Sequence, residues 1–418
     1  MAPGRTRPSP DGTVGSIMRQ RLFIILNLSV VSGFVMLGFN IVSPILPQYA
    51  LSFNIPVALT GWAISAFALC RLVVDLPAGF LADRYGRKRN MITGLVLIIL
   101  SSFVSGTATS YGWLIVGRVI QGAGSALYAT AATTWVAQVS TGEYRGRFMS
   151  TYSGLIFAAN AFGPTIGGYS AYHFGLNAPF FVYGGISLLG LLATIPLKET
   201  TGDPLQPRTA VRLRDIPMVL RTGPFMLVTC SVFAFFFLRS SVRSTLFPLY
   251  AALNLGFSED KIGLLLTVAA VVTSLCTFPS GWLSDKIGRK IPIMSSLLLS
   301  ALAVMLVPAM STLTTLVMVM AFYGLATGLQ GSLAAWPADV APKDKLGTAM
   351  GVYRVVGDLG MVIGPITVTY IAQYTGQVAI NSVPFIIPAI LAVFVAALML
   401  RAPDPARDRR RQVTDTLP

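Results

Sequence analysis

The sequence predicts an all-α membrane protein: twelve transmembrane helices in two pseudo-symmetric six-helix bundles. Three observations carry that expectation. Of the 418 residues, 54% are hydrophobic and 11% charged, with a mean hydropathy of +0.69, whereas soluble domains carry about 25% charged residues. Apolar runs parted by charged or turn-rich links recur along the whole chain, and at roughly 20 residues per crossing this length holds about a dozen of them. Finally, the link Gly79-Phe-Leu-Ala-Asp83-Arg-Tyr-Gly86-Arg87-Lys88 returns 202 residues later as Gly281-Trp-Leu-Ser-Asp285-Lys-Ile-Gly288-Arg289-Lys290.

In order, the spans read 22–48, 58–82, 90–110, 112–137, 147–170, 177–197, 223–253, 261–284, 291–311, 313–336, 346–371 and 381–400. Residues 1–21 form a Pro-, Gly- and Arg-rich tail, and the apolar run behind it is too long for a signal-peptide core, so cleavage is not expected. The tails and every second link hold 25 of the 31 Lys and Arg residues, while the opposite links hold Lys261 alone. Cations are retained on the cytoplasmic side, which predicts a multi-pass plasma-membrane protein with both termini in the cytoplasm. The expected organisation is an N-terminal bundle over 22–197, a cytoplasmic linker over 198–222, a C-terminal bundle over 223–400 and a solvated tail over 401–418. That last segment, with Arg409, Arg410 and Arg411, is suited to touch anionic lipid.

The net charge of +15 is spread over loops, which excludes a nucleic-acid surface. Cys70, Cys230 and Cys276 lie in apolar stretches without metal-ligand spacing, so neither a disulfide framework nor a metal or other cofactor is expected. No cluster of His, Cys and carboxylate residues supports enzyme chemistry, and neither tail is long enough to fold as a sensor domain. His173 falls in the external 170–177 link.

Gly163-Pro164 also recurs as Gly364-Pro365, and Pro47, Tyr49 and Ala50 recur as Pro248, Tyr250 and Ala251, both 201 residues on. Six spans separate the copies and six is even, so the halves share one orientation about an axis along the membrane normal. Transporters of this plan place the substrate near mid-membrane between the repeats.

These residues resemble the major facilitator superfamily, and within it the twelve-helix drug:proton antiporters, over roughly residues 20 to 400. The likeness rests on the doubled loop motif, on Leu37, Gly38, Pro44 and Pro47 in span 1, on Arg118, Gln121, Gly122 and Gly124 in span 4, and on Gly163, Pro164, Gly167 and Gly168 in span 5. Span 11 keeps Gly351, Gly360, Gly364 and Pro365. The resemblance implies alternating access by a monomer, with Gly79, Asp83, Gly86, Arg87 and Gly281, Asp285, Gly288, Arg289 as gating loops that do not bind substrate. It also implies Gly163, Pro164, Gly167, Gly168, Gly360, Gly364 and Pro365 as close-packing surfaces. Proton-coupled efflux of a small organic solute follows from the span 5 signature. The alternative is uptake or exchange of an organic anion, because span 1 lacks an acidic residue.

The charges that the repeat does not duplicate are the candidate site. Arg71 and Asp75 align with Thr273 and Thr277, Arg118 with Met320, Arg239 and Arg243 with Gly38 and Val42, and Arg354 and Asp358 with Ser153 and Phe157. Charge within a span is costly and marks function by default. Arg71, Asp75, Arg354 and Asp358 are expected to form either a two-rung latch between spans 2 and 11 or two pairs each within one helix, with Asp75 or Asp358 as the proton site. Arg118, Arg239 and Arg243, left without acidic partners, are candidate substrate contacts, with outward snorkelling of Arg118 and Arg243, or donation to carbonyls at kinks near Pro44 or Pro248, as the alternative. Asn40, Gln121, Gln330 and Trp336 are further candidates, with interhelical hydrogen bonding as the alternative. Phe233, Phe235, Phe236 and Phe237 read as lipid or core contacts, with an aromatic cage for a drug as the alternative, and Glu259, Asp260 and Lys261 read as an exposed loop.

Overall fold

The computed structural model describes residues 10–139, 145–197, 216–221, 223–333, 335–342, 345–376, 380–402 and 404. Most of the expected linker and C-terminal tail lie outside them, as does the Asp83 side chain. Span 1 is α1 (Pro10–Val42) and the short α2 (Leu46–Leu51), parted at Pro44. Spans 2 to 6 are α3 (Val57–Tyr85), α4 (Arg87–Gly106), α5 (Tyr111–Val139), α6 (Arg145–Phe174) and α7 (Ala178–Thr194). After α8 (Ile216–Arg221), span 7 comprises α9 (Gly223–Leu238), a π-helical segment (Arg239–Leu246) and α10 (Phe247–Leu253). The rest are α11 (Glu259–Ile287), α12 (Lys290–Leu306), α13 (Leu313–Gly328) with the short α14 (Ala335–Val340), α15 (Leu346–Thr375) and α16 (Val383–Met399).

Seven of these helices are long and apolar enough to cross a bilayer unaided. Helix α1 starts at Pro10, well inside the expected tail, because hydropathy marks where lipid begins (the apolar window is Leu22–Val42) and not where backbone hydrogen bonding ends. His173 sits in the last turn of α6, exposed and against Tyr169, and Glu259, Asp260 and Lys261 form the first turn of α11. Both corrections have one cause: polar helix ends outlast the apolar run.

Each half buries its own core, one around Trp135, Tyr128 and Phe180, the other around Trp336, Phe247 and Phe385. The repeat is visible in detail. The Tyr49 hydroxyl donates to the Ser105 carbonyl (2.9 Å) and that of Tyr250 to Pro308 (3.2 Å), while Lys88 reaches the Ile195 carbonyl and Lys290 that of Leu400, both at 2.6 Å. Ser43 donates to its own repeat copy, Ser244, at 3.1 Å, so the pseudo-two-fold axis passes between them.

The halves meet through α3 against α15 and α6 against α11. A Cβ on Gly61 would lie 2.5 Å from the Pro365 carbonyl, and one on Gly263 2.4 Å from that of Pro164. Gly61 and Gly263 are repeat copies, as are the two prolines. Ser65 to Val362 (2.6 Å), Thr369 to Ala58 (3.0 Å) and Thr165 to Thr267 (2.7 Å) complete this seal. Toward the motif loops the halves part. Nothing lies within 4 Å of a Cβ on Gly154 or Gly281, and Gly79 has only Thr130 of its own half, at 4.0 Å. Gly79 and Gly281 therefore make no contact across the halves in this conformation, since the surfaces there are separated.

In the motif loops Gly86 and Gly288 adopt φ of +93° and +94°, the left-handed turn that glycine permits. Arg289 is held by Asp339 at 2.5 Å and Asp285 at 3.6 Å. Asp404 contradicts the expected solvated tail. It is 9% exposed, and its carboxylate accepts from the backbone N–H groups of Arg289 (3.2 Å) and Lys290 (3.1 Å), capping α12. A carboxylate at a helix N-terminus satisfies donors that have no partner within the helix. Asp404→Ala is expected to destabilise the second half by about 1–2 kcal/mol, read as a lower melting temperature in detergent; an unchanged melting temperature would make the cap irrelevant.

Candidate functional site

A cavity of about 280 Å³ lies between the halves at mid-height, beneath the seal. Spans 1, 2, 4, 5, 6, 7, 8 and 11 all contribute to its wall. Four of the lining residues are arginines, Arg71, Arg118, Arg239 and Arg243, and no described lining residue is acidic. Phe39, Phe67, Tyr183 and Phe236 supply aromatic surface, and Asn40, Ser43, Ser125, Asn160, Ser240 and Ser244 supply neutral polar groups.

Local sequence explains how these side chains reach the wall. Gly38 leaves room for the Tyr183 ring, which a Cβ there would meet at 1.8 Å. Gly122 lets α5 approach the Phe67 carbonyl of α3, and Gly124 lets it approach Gly94 of α4. That proximity brings Arg118 Nε to the Ala63 carbonyl at 2.9 Å; the guanidinium also hydrogen-bonds Gln121 and lies 4.9 Å from the Phe67 ring centre. At 2% exposed, Arg118 does not extend toward water. On the opposite wall, Gly163 and Gly167 admit the backbone of α1, and Asn40 donates to Asn160 at 2.7 Å and to Met36 at 2.8 Å. Gly168 admits Glu259 of α11, while Gly360 and Gly364 admit Phe233 and Phe237 of α9.

Arg239 and Arg243 project from the π-helical segment, where i→i+5 bonding widens the turn. Side-chain hydroxyls support the distorted backbone: Ser240 donates to Phe236, Ser241 to Phe237 and Thr245 to Ser240, at 2.9, 2.5 and 2.8 Å. π-Turns inside α-helices concentrate at functional sites. Among the described residues, neither arginine has an ion-pair or hydrogen-bond partner; both act electrostatically on Tyr323, whose buried hydroxyl also lacks a hydrogen bond.

On the open side of the cavity Arg71 pairs with Asp75 at 3.8 Å within α3. Arg354 is exposed and Asp358 is 7% exposed. The four form one electrostatic group, for Asp75 is acted on by Arg71 and Arg354, and Asp358 by Arg71, Asp75 and Arg354. No rung is closed between the helices here.

Of the other candidates, Gln121 lies behind the wall as the partner of Arg118. Gln330 and Trp336 lie away from the cavity; both are buried, and Trp336 belongs to the core of the second half. Membrane-embedded polarity alone does not separate a cavity face from a core face. Conversely, Phe236 lines the cavity although its cluster reads as lipid or core contact, and Asn160, Tyr183 and Ser125 carried no charge to mark them. Ser43 and Ser244 were detectable as repeat copies.

The Major Facilitator Superfamily model matches residues 28–250 and 228–416. Multidrug resistance protein 2 of Bacillus subtilis is 28% identical over 363 residues, covering 84% of this chain and 88% of that one. Quinolone resistance protein NorA of Staphylococcus aureus is 25% identical over 245 residues, 58% of this chain and 62% of that one. Among solved structures, an inward-facing bacterial homologue of the human lysosomal transporter Spinster superposes with a TM-score of 0.77 at 15% identity, covering 94% of this chain and 98% of that one.

Proposed function

The chain belongs to the major facilitator superfamily and is a secondary transporter, and from that premise we propose that it exports a small organic solute across the plasma membrane in exchange for protons. The observation that carries the coupling is the group formed by Arg71, Asp75, Arg354 and Asp358. Exchange requires that proton and solute do not occupy the carrier together. Arg71 belongs to both places, because it lines the cavity and acts on both carboxylates. When Asp75 or Asp358 takes a proton, Arg71 loses a counter-charge and the cavity becomes more positive. Proton release restores the pair and changes the field felt by a bound solute.

The distribution of cations supports both termini on the cytoplasmic side. The conformation described above then opens inward, with the Gly61–Pro365 and Gly263–Pro164 contacts closing the outer side. The names of the drug-resistance relatives favour efflux.

Purified protein in liposomes, given a panel of fluorescent organic solutes that includes quinolones, is expected to drive uptake into acidic vesicles faster as the imposed pH gradient grows. Asp358→Asn should keep downhill exchange while losing the response to the gradient. Wild-type flux indifferent to the gradient would remove proton coupling.

A further inference from the structure

Five arginines lie within spans, and three are accounted for without a ligand. Arg71 pairs with Asp75, Arg354 is exposed beside Asp75 and Asp358, and Arg118 is held by the Ala63 carbonyl, Gln121 and the Phe67 ring. Arg239 and Arg243 are not. They act on each other as like charges, they lack an ion-pair or hydrogen-bond partner among the described residues, and both line the cavity. Protein folding alone would favour an uncharged pair here, as the repeat copies Gly38 and Val42 demonstrate. Two adjacent guanidinium groups without counter-ions, kept at a cavity wall that holds neutral polar and aromatic groups but no described acidic residue, imply a counter-ion that arrives from outside the protein.

We infer that Arg239 and Arg243 form the docking point for the acidic group of the transported solute, an amphipathic organic anion carrying a carboxylate, sulfonate or phosphate. The inference rests on the transport reading above and not on proton exchange. Protonation of Asp75 or Asp358 makes the cavity more positive and strengthens its hold on an anion. An anionic solute would therefore travel with the proton, and this site would replace the exchange reading. Guanidinium groups present planar forks that match two-oxygen anions. One turn apart on the π-helical segment, they can grip a single acidic group from two directions. Phe39, Phe67, Phe236, Met36 and Met361 offer an apolar bed for the remainder of the solute. With four arginines in the described wall, only Arg71 of them paired with a carboxylate, and no acidic residue among the described lining, a permanent cation meets net repulsion.

The test uses full-length protein in lipid-free detergent and matched pairs of probes: phenyl, naphthyl and pyrenyl sulfonates against the trimethylammonium compounds of the same ring systems. At least one sulfonate is expected to bind with a dissociation constant below about 1 mM and more tightly than its cationic match. Arg239→Gln and Arg243→Gln should each weaken it by about 10- to 100-fold. Melting temperature separates this from misfolding, since removing an unpartnered charge should leave stability equal or higher. Preferred binding of the cations, anion binding unchanged in the double variant, or no anion binding would each overturn the inference. Displacement of the sulfonate by phosphatidylglycerol but by no soluble anion would reassign the pair to a lipid headgroup and also overturn it. Anion binding intact with flux insensitive to a pH gradient would instead defeat the proton coupling and leave this site standing.

Discussion

Alanine at both Gly61 and Gly263 is expected to abolish the sealed conformation and with it most transport. Each new Cβ would sit 2.4–2.5 Å from a proline carbonyl of the opposite half, closer than such atoms are found, and the obstacle is backbone. Overpacking of this kind costs about 1–3 kcal/mol per site. Both contacts cross between the halves, so the cost falls on the conformation that joins them at this end and is relieved when they part. Two sites then bias the equilibrium by about 30-fold to about 10⁴-fold, at 1.4 kcal/mol per factor of ten. Labelling of a Ser43→Cys reporter from the sealed side, with Cys70, Cys230 and Cys276 replaced, should rise from slow to fast while solute flux falls. Gly94→Ala is the control, because its Cβ would meet Gly124 at 2.7 Å within one half. It should lower stability without changing which side is labelled. Labelling unchanged in the double variant would show that these glycines do not set the seal.

Reversing charge at Asp75 or Arg354 alone is expected to reduce transport by at least about tenfold, and Asp75→Arg together with Arg354→Asp to recover much of it. Helices α3 and α15 already touch at Gly61–Pro365, Ser65–Val362 and Ala58–Thr369. The same antiparallel register, continued toward the open side, brings Asp75 opposite Arg354 and Arg71 opposite Asp358 to within a helical turn. In the sealed conformation Asp75 instead turns to Arg71 of its own helix. The proposed latch would close when the open side shuts and water leaves it, where breaking one partner of a pair costs about 3–5 kcal/mol. Failure of the double reversal to recover transport, with normal expression and melting temperature, would leave the pairs within their own helices.

Span count, the two-bundle repeat and the close-packing role of Gly163, Gly167, Gly168, Gly360 and Gly364 were legible because each is written in local sequence. A bilayer requires apolar runs of fixed length, and a repeated motif at an offset of 202 or 201 records duplicated packing. The candidate charges were legible as well, since a charge in a span has no cheap structural excuse. Sorting them was not. Arg118 and Arg239 look alike in sequence, but the first meets a carbonyl 55 residues away on α3 and an aromatic ring, while the second meets neither.

By itself, then, the sequence determined that the chain crosses the membrane twelve times in two like-oriented halves, and which residues carry charge into the spans. Tertiary structure decided which of those charges are already satisfied, that Gln330 and Trp336 face away from the cavity while Tyr183, Asn160 and Phe236 face it, and which end is sealed. The physical reason is range. Hydropathy and glycine spacing act through a residue's own helix and its lipid, whereas the satisfaction of a guanidinium depends on carbonyls and rings delivered by other spans. The contacts that seal one end, such as Gly61 with Pro365, are encoded in the same chain as those that would seal the other, and only their three-dimensional arrangement distinguishes the two.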